Sequence, residues 1–342
     1  MFLKLLSECH GVAGDEVDVS KLIKDYLKES VDEFKYDSLG NLIAVKGKDK
    51  KGPKVMLSAH MDEVGLMVTS IESNGLLKFK PVGGLDVRVL VSKPVVVGPD
   101  NIKGVIGAKP IHLQQPTERR NALGYSQLYI DIGASSKEEA MEVVEIGNYV
   151  SFDTKFSQIN DKLCKGKAFD DRVGCYILAE ILKKEYPFPV YGAFTVQEEV
   201  GLRGATVAAY NVDPDLAIVL EGTSASDVPE SEEHRYSTKM GYGPALSIMD
   251  ASIIVQKNLL KDIVKVAEEN NIDYQFRQTA VGGNDAGKIR LTKDGVDTFT
   301  ISMPCRYIHS PVSFLNLEDV KKGITLVDKI LEKIDQGGVI NG

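Results

Sequence analysis

Lys54-Val-Met-Leu-Ser-Ala-His60-Met-Asp62-Glu63-Val-Gly65 opens as a short apolar run and closes on a histidine and two acids. The run reads as a buried strand. Its chemistry then lies at a strand end, where open α/β sheets collect their ligand-binding groups. Residues two apart on extended chain point the same way, so Asp62 is in a position to hydrogen-bond the imidazole nitrogen of His60 that faces away from a metal. Taken alone, His-x-Asp is more often a surface pair than a metal site.

Working outward, Val19 to Leu27 carries an amphipathic helical pattern, and 41–45 reads as a further strand. Such alternation predicts an α/β sheet. From about Gly75 to Asp161 the texture changes to short β-branched runs broken by glycines, such as Val95-Val-Val-Gly98 and Gly104-Val-Ile-Gly-Ala108, which resembles an inserted β-rich barrel or sandwich. After Ala168 the α/β pattern resumes with a helix carrying Val173, Ile177 and Ile181, a strand over 190–196 and another over Leu216 to Leu220. Helices follow at Leu259 to Ala267 and at Leu317, Val320, Ile324, Val327, Leu331 and Ile334, six residues that share one face. Gly323 weakens the last helix locally, by about 1 kcal/mol, without outweighing that face.

At 342 residues the chain exceeds what one core usually organises. Its 43% hydrophobic and 26% charged residues are those of a globular enzyme. A formal charge of −8 argues against a nucleic-acid binder. Met1-Phe-Leu-Lys-Leu-Leu-Ser7 is too short for a signal segment, and no apolar run approaches the roughly 20 residues of a membrane span. Cys9, Cys164, Cys175 and Cys305 form no C-x-x-C pair, which fits reduced thiols in a cytoplasm.

Four more segments bring chemistry. Ala168-Phe-Asp170-Asp171-Arg172 puts two acids at a helix start, where capping is the ordinary explanation, although a carboxylate shared between two cations would need similar support. Thr195-Val-Gln-Glu198-Glu199-Val-Gly201 runs a strand into paired glutamates, and these share a site only if the chain turns there, which Gly201 and Gly204 permit. Glu221 follows an apolar strand, and His309 follows the strand 298–303. Each is weak alone. Together they deliver imidazole and carboxylate without thiolate, a set that suits zinc, cobalt or manganese. Two divalent ions are balanced by Asp170, Glu199, Glu221 and a bridging hydroxide. Paired metals of this kind are equipment for amide hydrolysis, with Glu198 as candidate general base.

These segments, in this order, closely resemble the M42 family of metallo-aminopeptidases. The resemblance spans nearly the whole chain and includes Gly104-Val-Ile-Gly-Ala-Lys-Pro110, 128–140 and Gly282-Gly283-Asn284-Asp285. It implies that His60 and His309 each bind one ion, that Asp170 bridges both, that Glu199 and Glu221 are terminal ligands, that Glu198 is base and acid on a metal-bridging water, and that Asp62 orients His60. It further implies a mixed-sheet α/β/α catalytic domain (1–67 and 165–342) split by a β-rich insert (68–164), through which dimers build a tetrahedral homododecamer acting on peptides. Two positions depart from the family pattern: Glu221 stands where Asp is common, and Asn284 where Thr is more usual.

Three other readings compete. A two-carboxylate glycosidase of the endoglucanase kind has no use for the histidines, and the chain has no Trp to stack on sugars. A deacylase of N-acyl amino acids would use the same metals. A non-catalytic peptide-binding member would leave Glu198 unexplained.

Overall fold

The computed structural model describes residues 1–229, 231–278 and 282–335. Strands β1 (Glu33–Tyr36), β2 (Leu42–Lys46) and β3 (Val55–His60) come first. Six follow in a block: β4 (Gly65–Ile71), β5 (Leu77–Val82), β6 (Pro94–Val97), β7 (Ile102–Ala108), β8 (Leu128–Asp131) and β9 (Tyr149–Phe152). The rest are β10 (Ser157–Gln158), β11 (Leu163–Gly166), β12 (Val190–Thr195), β13 (Leu216–Ser224), β14 (Ala245–Ser247), β15 (Gln275–Arg277), β16 (Asp297–Arg306) and β17 (Ser313–Asn316). The helices are α1 (Phe2–Glu8), α2 (Val17–Leu27), α3 (Lys137–Met141), α4 (Phe169–Leu182), α5 (Arg203–Val212), α6 (Lys257–Glu269), α7 (Ala286–Ile289) and α8 (Leu317–Asp335).

The large sheet has the order β1-β2-β12-β3-β13-β16-β17-β11-β10, with β14 paired to β16 and β15 to β14. Its centre, β12-β3-β13-β16, is parallel, and its flanks are antiparallel. Strand alternation feeds two cores. Leu42, Ala44, Leu57 and Ala59 pack with Phe169, Val173 and Ile177 of α4 on one face. Ile43, Val45 and Met56 pack with Ala205, Ala208 and Ala209 of α5 on the other. The α/β sheet expected from the alternating pattern is therefore present, in the mixed-sheet α/β/α layering that the family resemblance implied.

Helix α8 buries Val320, Val327, Leu331 and Ile334 as its spacing requires. Gly323 has a packing reason: a Cβ there would lie 2.7 Å from Met303 Cε on β16, so its absence lets helix and sheet approach. Its propensity cost is offset by that contact.

Strands β4 to β9 close into a barrel in the order β4-β5-β8-β7-β6-β9, around a core of its own that includes Leu66, Phe79, Ile106, Ile130 and Phe152. Closure leaves no open edge. The chain leaves the large sheet after β3 and rejoins it at β10 and β11, so the barrel interrupts the sheet's sequence. Ser157, Gln158 and Leu163 lie within the 68–164 segment, yet β10 and β11 pair in the large sheet. Among the described residues no helix is long and apolar enough to cross a membrane.

Candidate metal centre

The carboxyl ends of the parallel strands converge on one group of side chains. His60 is the last residue of β3. Its Nδ1 lies 3.1 Å from the backbone carbonyl oxygen of Asp62 and 3.4 Å from Asp62 Oδ1. A proton on Nδ1 is thus donated to the carbonyl, and Nε2 is left facing the cluster. That Nε2 stands 3.2 Å from Glu221 Oε1, 3.5 Å from Asp170 Oδ1 and 4.0 Å from Glu198 Oε2. His309, beyond the end of β16, brings its Nε2 to 3.3 Å from Asp170 Oδ2 and 3.5 Å from Glu199 Oε2. Asp170 accordingly turns one oxygen to the His60–Glu221 pair and the other to the His309–Glu199 pair.

The doubled acid divides two jobs. Asp171 Oδ1 accepts from the Gly174 amide at 2.9 Å and its Oδ2 from the His60 amide at 3.2 Å, so Asp171 caps the regular part of α4 and ties it to β3. Asp170 does not cap; its backbone (φ −85°, ψ 104°) is non-helical, and the peptide joining the two acids is cis. Arg172 supplies the support beneath them. It is fully buried and donates to the carbonyls of Met61, Leu6, Cys9 and Gly11 at 2.6–3.3 Å, with Glu63 Oε1 at 3.6 Å.

Glu221 lies inside β13, not at its end, because pairing with β16 continues to Ser224. The next residue, Gly222, passes beneath Asp170: a Cβ there would meet Asp170 Cα at 2.8 Å. The turn at Glu198 and Glu199 is begun by Gln197, at φ +57°, and Gly201 follows at φ +125°. Asp62, which the sequence places behind His60, uses both carboxylate oxygens on this turn, accepting from the Glu198 and Glu199 amides at 3.0 Å each.

Burial pushes Glu221 up to about 8 and Glu199 to about 7, and it holds Glu198 well above the carboxylate range. Burial opposes charge on the histidines as well, but the surrounding carboxylates outweigh it. Glu221, Asp170 and Asp62 raise His60 well above its ordinary value, and Asp170 with Glu199 raises His309 to about 9. Burial also opposes charge on Asp170, yet the two histidines depress it. A cluster that retains protons on acids and bases together is one short of positive charge.

The donor set fits divalent cations. Asp170 Oδ1 and Glu221 Oε2 are buried and accept no hydrogen bond. Ligand atoms of Asp170, Glu199 and His309 lie within 4.8 Å of one another, as do those of His60, Asp171 and Glu221, and those of His60, Glu198 and Glu199. Asp171 joins these groups although sequence reasoning gave it no such place; its oxygens are engaged by amides. Asp285, noted in the sequence only within a signature, accepts from Thr195 Oγ1 at 2.6 Å, and burial lifts it to about 6. A cavity of about 360 Å³ opens on Asp170, Glu198, Glu221 and His309, with Thr223, Ser224, Arg277, Asn284 and Ser302 also in its wall.

The sequence profile of the M42 glutamyl aminopeptidase family matches residues 40–326. The chain belongs to the M42 family. It is a hydrolase acting on peptides, of the aminopeptidase kind. The lysyl aminopeptidase of Pyrococcus furiosus is 33% identical over 97% of this chain and 96% of its own. The TET aminopeptidase of Thaumarchaeota archaeon SCGC AB-539-E09 superposes with a TM-score of 0.95 at 38% identity, covering 99% of this chain and 97% of its own. The Pyrococcus horikoshii TET1 peptidase, described as assembling into a tetrahedron or a large octahedral shell, gives 0.86 at 35% identity, covering 96% and 98%. This M42 chain thus has relatives of like length in both sequence and structure.

Proposed function

We propose that this chain removes residues from peptide N-termini using two divalent ions, zinc, cobalt or manganese, one held by His60 and Glu221, the other by His309 and Glu199, with Asp170 bridging them. The observation that carries this reading is Asp170, whose two oxygens face different histidine–glutamate pairs. Two such ions would polarise the scissile carbonyl and acidify the attacking water. Glu198, whose Oε2 is 4.0 Å from His60 Nε2, takes the proton from that water and returns it to the departing amine. Asp62 acts on the reaction through the amides of Glu198 and Glu199 and through its carbonyl on His60.

The division into a catalytic domain, 1–67 and 165–342, and an oligomerisation insert, 68–164, belongs to the same proposal. So do assembly into a tetrahedral homododecamer, supported by the shells described for the Pyrococcus horikoshii relative, and a cytoplasmic location, supported by four free cysteines.

The test is a panel of aminoacyl p-nitroanilides offered to metal-stripped protein, with zinc, cobalt or manganese restored separately. Release that depends on metal is expected. No release from folded, metal-loaded protein would move the reading to the deacylase or the non-catalytic member.

A further inference from the structure

The turn that carries Glu198 and Glu199 is held in an uncommon way. Four consecutive amides, from Val196 to Glu199, each donate to a side-chain oxygen: Val196 to Asn41 Oδ1, Gln197 to Glu16 Oε1, and Glu198 and Glu199 to the two oxygens of Asp62, all at 3.0 Å. The acceptors come from three separate stretches of chain, before α2, just before β2 and after β3. The carbonyls of the same run close the loop, with Val196 O accepting from Gly204, Gln197 O from Arg203, and Glu198 O from both Gly201 and Leu202 at 2.8–3.2 Å.

Gln197 is a non-glycine residue in the left-handed region, a conformation that persists only where its surroundings over-determine it. The turn made there brings two glutamates that are adjacent in sequence to the same cluster. Asp62 alone pins the amides after Gln197. The amides of Gln197 and of the residue before it are pinned by Glu16 and Asn41. Both acceptors are themselves fixed. Glu16 Oε1 also takes the Gly14 amide at 2.7 Å, and the fully buried Asn41 gives its Nδ2 to Gly204 O at 2.9 Å and Asp37 Oδ2 at 2.6 Å. Neither is among the residues that line the cavity or form the ligand groups.

We propose that Glu16 and Asn41 are positioning residues, which hold Gln197 left-handed and thereby set where Glu198 and Glu199 stand in the cluster. The proposal rests on the metal-dependent reading above, in which Glu199 is a ligand and Glu198 the base. It predicts that Glu16→Ala lowers kcat by about 10–100-fold with little change in KM, the loss that follows when an outer support of a metal site is removed. Glu16→Gln keeps an oxygen acceptor toward the Gln197 amide and restores most of that kcat. Adding Gln197→Gly to Glu16→Ala restores part of it, because glycine occupies positive φ without being held there.

A purely structural role predicts otherwise: activity would follow thermal stability in every variant, and the added backbone freedom of Gln197→Gly would make Glu16→Ala worse. Zinc titration calorimetry of the metal-stripped protein gives a readout independent of turnover, and Glu16→Ala should weaken one of two bound ions by about 10–100-fold. If the parent protein binds two ions but cleaves nothing, the hydrolytic reading fails and the titration still judges the clamp. Asn41→Ala strands a buried amide and a buried carbonyl and is at risk of not folding, so Glu16→Ala, whose released amides lie at Gly14 and Gln197 nearer the surface, is the primary variant. Folded Glu16→Ala with parental kcat and parental zinc affinity overturns the proposal.

Discussion

Asp170 is met from both sides by histidines that lie 249 positions apart in the chain, and its carboxylate is the geometric middle of the cluster. Glu198 approaches the same cluster without taking a hydrogen bond from either ring. Replacing it with Gln keeps size and shape while removing the carboxylate that the proposed mechanism uses as its base. Glu198→Gln is therefore expected to bind metal almost as the parent does and to lose about 10²–10⁴-fold in kcat. Near-parental turnover would remove Glu198 from the role. His60→Ala and His309→Ala take away an imidazole donor each and should lower metal content as read by elemental analysis of the dialysed protein. Unchanged content in both would overturn the ligand assignment.

At the scale of elements, the cluster depends on how closely β13 and the start of α4 approach. Gly222 lies toward the carboxyl end of β13, paired with Met303 of β16, and Asp170 stands directly over it. Gly222→Ala puts a methyl against backbone that is tied down by Arg172 and Asp171. Overpacking of this kind costs about 1–3 kcal/mol. We expect a modest fall in Tm, an intact circular dichroism spectrum and a larger loss of zinc affinity. Parental zinc affinity in the variant would show that the Asp170 segment yields freely and that the glycine does not set its height.

For the whole molecule, the cluster ties metal content to stability. In the metal-free state Glu199 and Glu221 are raised from 4.5 to about 7 and about 8. The folded chain then holds protons that the unfolded chain has released, so stability falls as pH rises through those windows. His309, raised from 6.5 to about 9, contributes stability that is complete below 6.5 and lost as pH climbs through 9. Both effects have one sign. The Tm of metal-free protein should fall steadily from pH 5 to pH 9, and restoring zinc should abolish most of that fall because bound cations replace the protons. A Tm of the metal-free protein that is flat or rising over this range would contradict the electrostatics described. Assembly is read separately by native mass spectrometry, where a dodecamer appears at about twelve times the 37.4 kDa chain.

Much of this was legible in the chain. Apolar strands that end on His60 or lead toward Glu198 and Glu221, and the helix periodicity of α4 and α8, are local patterns, since burial on a sheet or helix face imposes period 2 or 3.6 on the residues themselves. The β-rich texture of the insert likewise announced a separate unit. Closure of the barrel was not written locally, because ladder partners such as β4 and β9 are far apart in sequence. Nor was the division of labour between Asp170 and Asp171, which neighbouring residues make look alike. Asp62 was seen as a partner for an imidazole two positions away, whereas its carboxylate spends both oxygens on amides 136 and 137 positions distant. The sequence by itself determined which side chains are candidates for the chemistry and which elements bear them. Only the tertiary structure decided how those side chains are aimed, because aim depends on long-range acceptors for backbone amides, and such pairings leave no periodic trace in the residues that make them.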